Sequence, residues 1–431
     1  MENSSKKKQD VCDEQGKCRD RLSELPDEIL VQILSFLPIR DAVRSVLLRR
    51  FGELWSFLPT LKFEGDKEEF VRKVMEYHKC PTMDELELSR GHDLSEKEFI
   101  KLTNMALSKK AKVFRVYSEN HYYNLPSRFF TNQYIVSLTL YNMSIKLPNR
   151  VHMKSLRKLE LFFVSIDDKT FKVVISGSPC LQELVIMNPD ILHDIHFTSP
   201  SIEKLELDLC LHFAIQHDAF YSLNCPNLKI LHVSEVCLKH LKLIDVSSVR
   251  EAKILYCRIA FDRYHFEKLI ENFRNAEFFR LEDDAYMQLK HCGSQKLTCR
   301  DNQWIRLALR SGIQGGCLLD ISTLLRNSWR LKQLIIYADV GFFCNCNLLL
   351  HDLPSPCVME KLITVTIREY EKPCKALLQL IEFLLKSAVV LEKMVIVCNK
   401  KDQLFSSEGQ EFYFQLLSFP RASRKARVIF A

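Results

Sequence analysis

Along most of the chain, apolar residues recur in one short phrase, apolar-x-x-apolar-x-apolar. It reads MDELEL from Met83, AKVFRV from Ala111, IVSLTL from Ile135, LRKLEL from Leu156, LQELVI from Leu181, IEKLEL from Ile202 and LKILHV from Leu228. Looser copies are VREAKI from Val249, AEFFRL from Ala276, LKQLII from Leu331, LITVTI from Leu362 and LEKMVI from Leu391. The period-two end of each phrase predicts a strand whose alternate side chains point inward. Segments between them, such as DDKTFKVVISGSPC, predict helical returns that end in turns.

From Met83 to Ala276 successive phrases start 21 to 28 residues apart, the spacing of leucine-rich repeats. One such unit cannot bury its inner face alone. The units must stack, which predicts a curved α/β solenoid with a parallel sheet. LKHLKL from Leu238 falls ten residues after its predecessor and out of register. From about 284 to 330 the phrase disappears; Trp304, Ile305, Leu307, Ala308 and Leu309 suggest a helix there, and SGIQGGC a loop. Near the end, KALLQLIEFLLKS puts Ala376, Leu377, Leu380, Ile381, Leu384 and Leu385 on one helical face. With strands at Val365 and Met394 it predicts a β-α-β cap, which covers the core that an array otherwise leaves open at its end.

The N-terminal part has a different texture. Residues 1–19, with Lys6-Lys7-Lys8, are too polar to offset chain entropy and read as a disordered tail. Then DRLSELPDEILVQILSFLPIRD, residues 20 to 41, places Ile29, Leu30, Ile33, Leu34 and Leu37 at helical period behind Pro26. Proline suits a first helical turn, and Asp27 and Glu28 favour the positive helix end. Pro38 stops this helix, and Asp41 opens a second one carrying Ala42, Val43, Val46 and Leu47, before Trp55, Phe57 and Leu58 close the segment. The pattern alone leaves open whether this is a core helix or a docking surface.

Composition narrows the functional classes. The chain has 431 residues, 47% of them hydrophobic, as expected of a folded protein, and only 11 glycines, which disfavours Gly-loop nucleotide folds. A formal charge of +7 is well short of that of a dedicated nucleic-acid binder. The basic RASRKAR near the C-terminus gives weak support to nucleic-acid binding, but acidic and basic residues are interspersed through the repeats. Sixteen cysteines without regular spacing, no secretory signal and no membrane-length apolar run predict an intracellular protein of the nucleus or cytoplasm.

The segment LSELPDEILVQILSFLPIRDAV followed by Leu54-Trp55 resembles an F-box. Ahead of irregular repeats it is similar to the large plant family of F-box/leucine-rich-repeat proteins. LITVTIREYEKPCKALLQLIEFLLKSAVVLEKMVIV and LLSFPRASRKARVIF resemble the FBD module that closes many such chains. The resemblance implies a tail at 1–19, a small all-helical F-box at 20–62, a repeat array at 80–345 and an FBD-like cap at 355–431. It implies the substrate-recognition subunit of an SCF-type ubiquitin ligase. A Skp-type adaptor, and through it a cullin, docks on the F-box, and the repeats hold an unidentified protein for ubiquitination.

By position, Leu25 and Pro26 match the F-box Leu-Pro, and Ile29, Leu30, Ile33, Leu34 and Leu37 its first helix. Pro38, Val43 and Val46 match later positions, and Leu22 and Trp55 flanking ones. Leu22, Leu25, Pro26, Ile29, Leu30, Ile33, Leu34, Leu37, Pro38, Val43 and Val46 are the implied adaptor contacts. DAVRSVLLRRFGELW is one residue shorter than the family pattern, with Phe51 where tryptophan is usual. The alternative is therefore an adaptor-independent repeat scaffold with a degenerate F-box.

No catalytic motif is found: no phosphate loop, dinucleotide loop, zincin or nucleophile elbow. Cys344 and Cys346 are too close for zinc spacing, and His193-Asp194 and His351-Asp352 read as solvated turns, so neither metal nor cofactor is expected. Candidate substrate contacts are strand ends and the loops after them: Tyr117, Tyr141, Phe162, Phe163, Asp208 and Glu235.

Overall fold

The computed structural model describes residues 24–89, 94–119, 123–190, 195–209, 221–234, 241–255, 263–282, 301–311, 324–338, 358–370, 375–398 and 407–431, with Leu22, Leu192 and Ser322. The tail at 1–19 lies outside them, as do Glu235, Cys344, Cys346, both His-Asp pairs and all of SGIQGGC beyond Ser311. The chain divides into two units, Met1–Lys146 and Leu147–Ala431.

In the first unit, helix α1 (Asp27–Leu34) follows Pro26, and α2 (Ile39–Arg44) follows Pro38. The second helix is shorter than the sequence suggests. Ser45 Oγ donates back to Ala42 O at 2.6 Å, and the chain tightens into a 3-10 turn at Ser45–Leu47. A second 3-10 turn, Leu54–Phe57, leads into β1 (Thr60–Glu64). Then come α3 (Glu68–Tyr77), β2 (Glu85–Ser89), α4 (Glu96–Ser108), β3 (Val113–Tyr117), β4 (Tyr123–Asn124), β5 (Ser137–Tyr141) and β6 (Met143–Ser144). Strands β1, β2, β3 and β5 are parallel neighbours in that order, with Leu61, Leu86, Phe114 and Leu138 in register; β4 and β6 form a short side ladder.

The second unit is mixed α/β around a large parallel sheet. Its strands, in spatial order, are β7 (Lys158–Phe162), β8 (Glu183–Met187), β10 (Lys204–Asp208), β12 (Ile230–Ser234), β14 (Glu251–Leu255), β15 (Phe278–Glu282), β16 (Arg306–Ser311), β17 (Gln333–Ala338), β18 (Thr364–Tyr370), β19 (Lys393–Cys398) and β20 (Arg427–Phe430). Each phrase read in the sequence supplies a strand beginning two residues after its first apolar position. Side by side in register, Leu159, Leu184, Leu205, Leu231, Ala252, Phe279, Leu307, Leu334, Val365 and Met394 are all buried. Burying each leucine contributes about 1.5–3 kcal/mol before entropy is subtracted.

Helix α5 (Asp168–Ser176) is the return expected from DDKTFKVVISGSPC, capped by Asp167, which accepts from Thr170 N at 2.7 Å. Where α5 ends, Gly177 passes so close to Val151 that a Cβ on it would lie 2.4 Å from Val151 Cγ1. In the next returns the described residues form strands. β9 (Ile195–Thr198), β11 (Tyr221–Asn224) and β13 (Leu241–Ile244) form a second parallel sheet, ordered β13-β11-β9. This accounts for the second half of LKHLKL: Leu241 and Leu243 belong to that sheet, not to the main one.

The helix expected at Trp304–Leu309 is instead strand β16, paired parallel to β15 and β17. Trp304 is fully buried, stacks on Phe279 at 5.0 Å between ring centres, and donates from Nε1 to Phe273 O at 2.8 Å. Helix α6 (Arg263–Asn272) precedes this junction. Towards the end, α7 (Lys375–Ser387) connects β18 to β19 as the sequence suggests, and Leu377, Leu380, Ile381, Leu384 and Leu385 are buried. α8 (Ser407–Ser418) follows, before β20.

Candidate functional site

Two surfaces carry the residues singled out by the sequence. The first is built on α1 and α2. Eight residues of helix bury one narrow stripe: Leu30 is 0% and Leu34 2% exposed, in a small core with Ile39, Ala42, Phe51, Trp55 and Leu58. Leu30 and Leu34 therefore hold this segment together rather than face a partner. Ile29, Leu37, Leu22 and Val46 are exposed large apolar residues, Pro26 and Pro38 are exposed, and Leu25, Ile33 and Val43 are half-buried.

Sequence reasoning missed the most exposed members, Phe36 at 79% and Leu47 at 85%, with Leu48 next to Leu47 and Phe57 further along the chain also exposed. Phe36 stands seven positions after Ile29, in the turn just beyond α1, and that helical spacing was the signal available. Apolar exposure this concentrated in one short segment is unusual for a finished surface. Val43, Val46, Trp55, Phe70, Val74 and Tyr77 also line a largely apolar cleft of 390 Å³.

Polar contacts tie this segment to the turn that ends β1. Arg40 pairs with the buried Asp66 carboxylate and donates from Nη2 to Gly65 O at 2.9 Å, and Asp66 also accepts from Glu64 N at 2.9 Å. Gly65 takes φ 62°, a left-handed turn that favours glycine. Arg50 donates to Leu25 O at 3.1 Å and pairs with Asp27.

The second surface is the outward face of the large sheet, where many of the alternate strand residues are charged. His232 sits between carboxylates on two neighbouring strands, with Nδ1 3.2 Å from Glu206 and Nε2 3.0 Å from Glu251. The hydrogen bond to His232, with Lys204 adding to it, holds the Glu206 carboxyl at about 2, well below its ordinary value. Burial pushes Glu251 upward, but hydrogen bonds from Lys253 and His232 outweigh it and its pKa is lowered. Further along, Glu282 lies buried against Arg280 and Arg310.

Among the candidate substrate contacts, Tyr117 and Tyr141 are half-buried and pack together at 6.2 Å in the first unit. In the second, Phe162 and Asp208 are half-buried on strand ends, and Phe163 is exposed with φ 52°. Asn142, Phe163 and Asn188 each take this left-handed conformation one residue after β5, β7 and β8, and so turn the chain off the strand at the same point. Cys225 is buried, which pushes its thiol up to about 11. Among the described residues, no group of three or more His, Cys, Asp or Glu is placed to hold a metal, and no helix is long and apolar enough to cross a membrane.

A parallel-strand repeat unit, with a β-α-β closing segment and an apolar helical segment ahead of it, is the class of protein these features define. Comparison with known families agrees. Residues 109–258 match the model described as "FBD-associated F-box protein At5g56370, LRR repeats", and residues 353–396 match the FBD model. An F-box/FBD/LRR-repeat protein of Arabidopsis thaliana, At2g04230, is 32% identical over 54% of this chain and 58% of its own length. A second, At4g26340, is 28% identical over 52% and 57%, respectively. The putative FBD-associated F-box protein At5g56400 of the same plant is 26% identical over 88% of this chain and 85% of its own. The chain thus spans little more than half the length of the first two relatives. It carries leucine-rich repeats and an FBD segment, and in both it is similar to plant F-box/leucine-rich-repeat proteins.

Proposed function

We propose that the chain is the substrate-recognition subunit of an SCF-type ubiquitin ligase. Its first helices, an F-box at about 20–62, dock a Skp-type adaptor and through it a cullin. The repeats hold a protein target. The names of the relatives suggest this role, and the observation that carries it is the exposed apolar surface of Ile29, Phe36, Leu37, Val46, Leu47 and Leu48. Covering such side chains is worth ~25 cal/mol per Å² of apolar area. The chain itself is non-catalytic in this reading. It raises the concentration of target near the charged ubiquitin, and the transfer chemistry lies on other subunits.

The adaptor contacts on this reading are the exposed and half-exposed members Leu22, Leu25, Pro26, Ile29, Ile33, Leu37, Pro38, Val43 and Val46, joined by Phe36 and Leu47. Phe36→Ser with Leu47→Ser leaves the buried Leu30 and Leu34 in place. It is expected to abolish capture of a Skp-type adaptor in a pull-down while the thermal midpoint of the chain stays put. Undiminished capture removes this surface from the docking role.

One observation favours a second reading, an adaptor-independent scaffold. The break of α2 at Arg44 and the burial of Phe51 rebuild the second half of the docking segment. Failure of the wild-type chain to co-purify with any Skp-type adaptor selects that reading.

A further inference from the structure

The outward face of the large sheet changes sign along its length. On β7 to β14 it carries Glu160, Glu183, Glu206, Asp208 and Glu251 among its lysines. From β15 to β18 it carries Arg280, Arg306, Arg310 and Arg368, with Glu282 as the carboxylate between them. That carboxylate is buried, and Arg280 and Arg310 already pair with it. Arg306 and Arg368 are exposed, and neither has an ion-pair partner among the described residues.

The arginines are arranged rather than scattered. Tyr337 on β17 lies under two guanidiniums, Arg280 at 4.9 Å and Arg310 at 5.3 Å from the ring centre. Arg280 reaches it diagonally from two strands away: its own partner across the ladder is the small Ala308, while Tyr337 is paired with Arg310. Arg306 lies over Phe278 at 4.6 Å. Guanidiniums stacked on rings lose side-chain freedom before any ligand arrives, and their planar forks suit carboxylates.

We propose that this arginine–tyrosine face binds a short acidic segment of a partner protein, through carboxylates seated on Arg306 and Arg368. The sign change favours a peptide over a nucleic acid. A long polyanion following the sheet meets the glutamates of β10 to β14, whereas a few acidic residues fit within four strands. Tyr337 is also covered by Arg280 and Arg310, which leaves no open ring for base stacking. The binding itself stands without the ubiquitin-ligase role; only its use in choosing a target rests on that reading.

The test is fluorescence anisotropy of the full chain with a labelled peptide alternating Glu and Gly, and with its Gln counterpart. The acidic peptide should bind, weaken with added salt, and exceed the Gln peptide. Arg306→Gln with Arg368→Gln changes exposed side chains and should weaken it by about tenfold. Lys169→Gln with Lys172→Gln on α5, an equal loss of charge off this face, should change it by less than about twofold. Equal binding of both peptides, equal loss in both variants, or displacement of the peptide by a single-stranded oligonucleotide of the same charge overturns the proposal. Adaptor capture is scored separately, so either conclusion can fail without the other.

Discussion

The N-terminal helices and the large sheet are both built from leucine, isoleucine and valine, yet they present opposite surfaces. In the sheet, period two sends the leading apolar residues of each phrase to one side, and the other side carries most of the Lys, Glu, Arg and His of the strands. In α1, eight residues close on one stripe, so Leu30 and Leu34 go in while Ile29, and Phe36 and Leu37 in the turn after it, stay out. Stacked units complete one another's cores, whereas an isolated short helix pair cannot. The same composition therefore makes self-sufficient structure in one region and an unfinished surface in the other.

Substitutions can break this contrast from the sheet side. Trp304→Ala removes the largest fully buried side chain and its hydrogen bond to Phe273 O, and should cost about 3–5 kcal/mol in denaturant unfolding. Gly177→Ala forces a methyl against Val151 and should cost about 1–3 kcal/mol, visible as a lower midpoint with an unchanged denaturant slope.

A smaller effect is ionic. The Glu206 carboxyl is depressed to about 2 from an ordinary 4.5. Its contribution to stability is therefore fully present above about pH 4.5 and is lost as pH falls through about 2, on the order of 1 kcal/mol after solvent screening. His232→Asn removes the main cause of the depression and should flatten the acid limb of a thermal-midpoint profile between those values. An unchanged limb would show that the Glu206–His232 pair adds nothing to stability. The smallest effect is expected at Phe36 and Leu47, where the serine pair used against the adaptor should move stability by less than about 0.5 kcal/mol.

The strands were legible because each phrase carries both its period and its leading apolar residue. The exceptions have physical reasons. WIRLAL from Trp304 fits the same phrase, but Ala308 fills an outward position under the arginines and erases the alternation, so the stretch looks helical. Leu58, Leu61 and Phe63 also fit it and supply β1, hidden by their closeness to the helical segment. The second sheet has no sequence mark of its own, since β9, β11 and β13 are only four residues each. At the docking segment the helical stripe could be read, but which half of it faces inward could not. That is decided by Phe51, Trp55 and Leu58, which arrive from the chain beyond the helices.

The three tryptophans fall in three different settings. Trp304 is sealed between repeats, Trp55 closes the N-terminal core, and Trp329 is 53% exposed with Lys361 Nζ 4.5 Å from its ring centre. Intrinsic fluorescence of the unlabelled chain thus contains a blue-shifted emitter inside the repeat array and one that acrylamide can quench. Replacing Trp55 and Trp329 by phenylalanine would leave Trp304 as a single optical gauge of whether neighbouring repeats remain stacked.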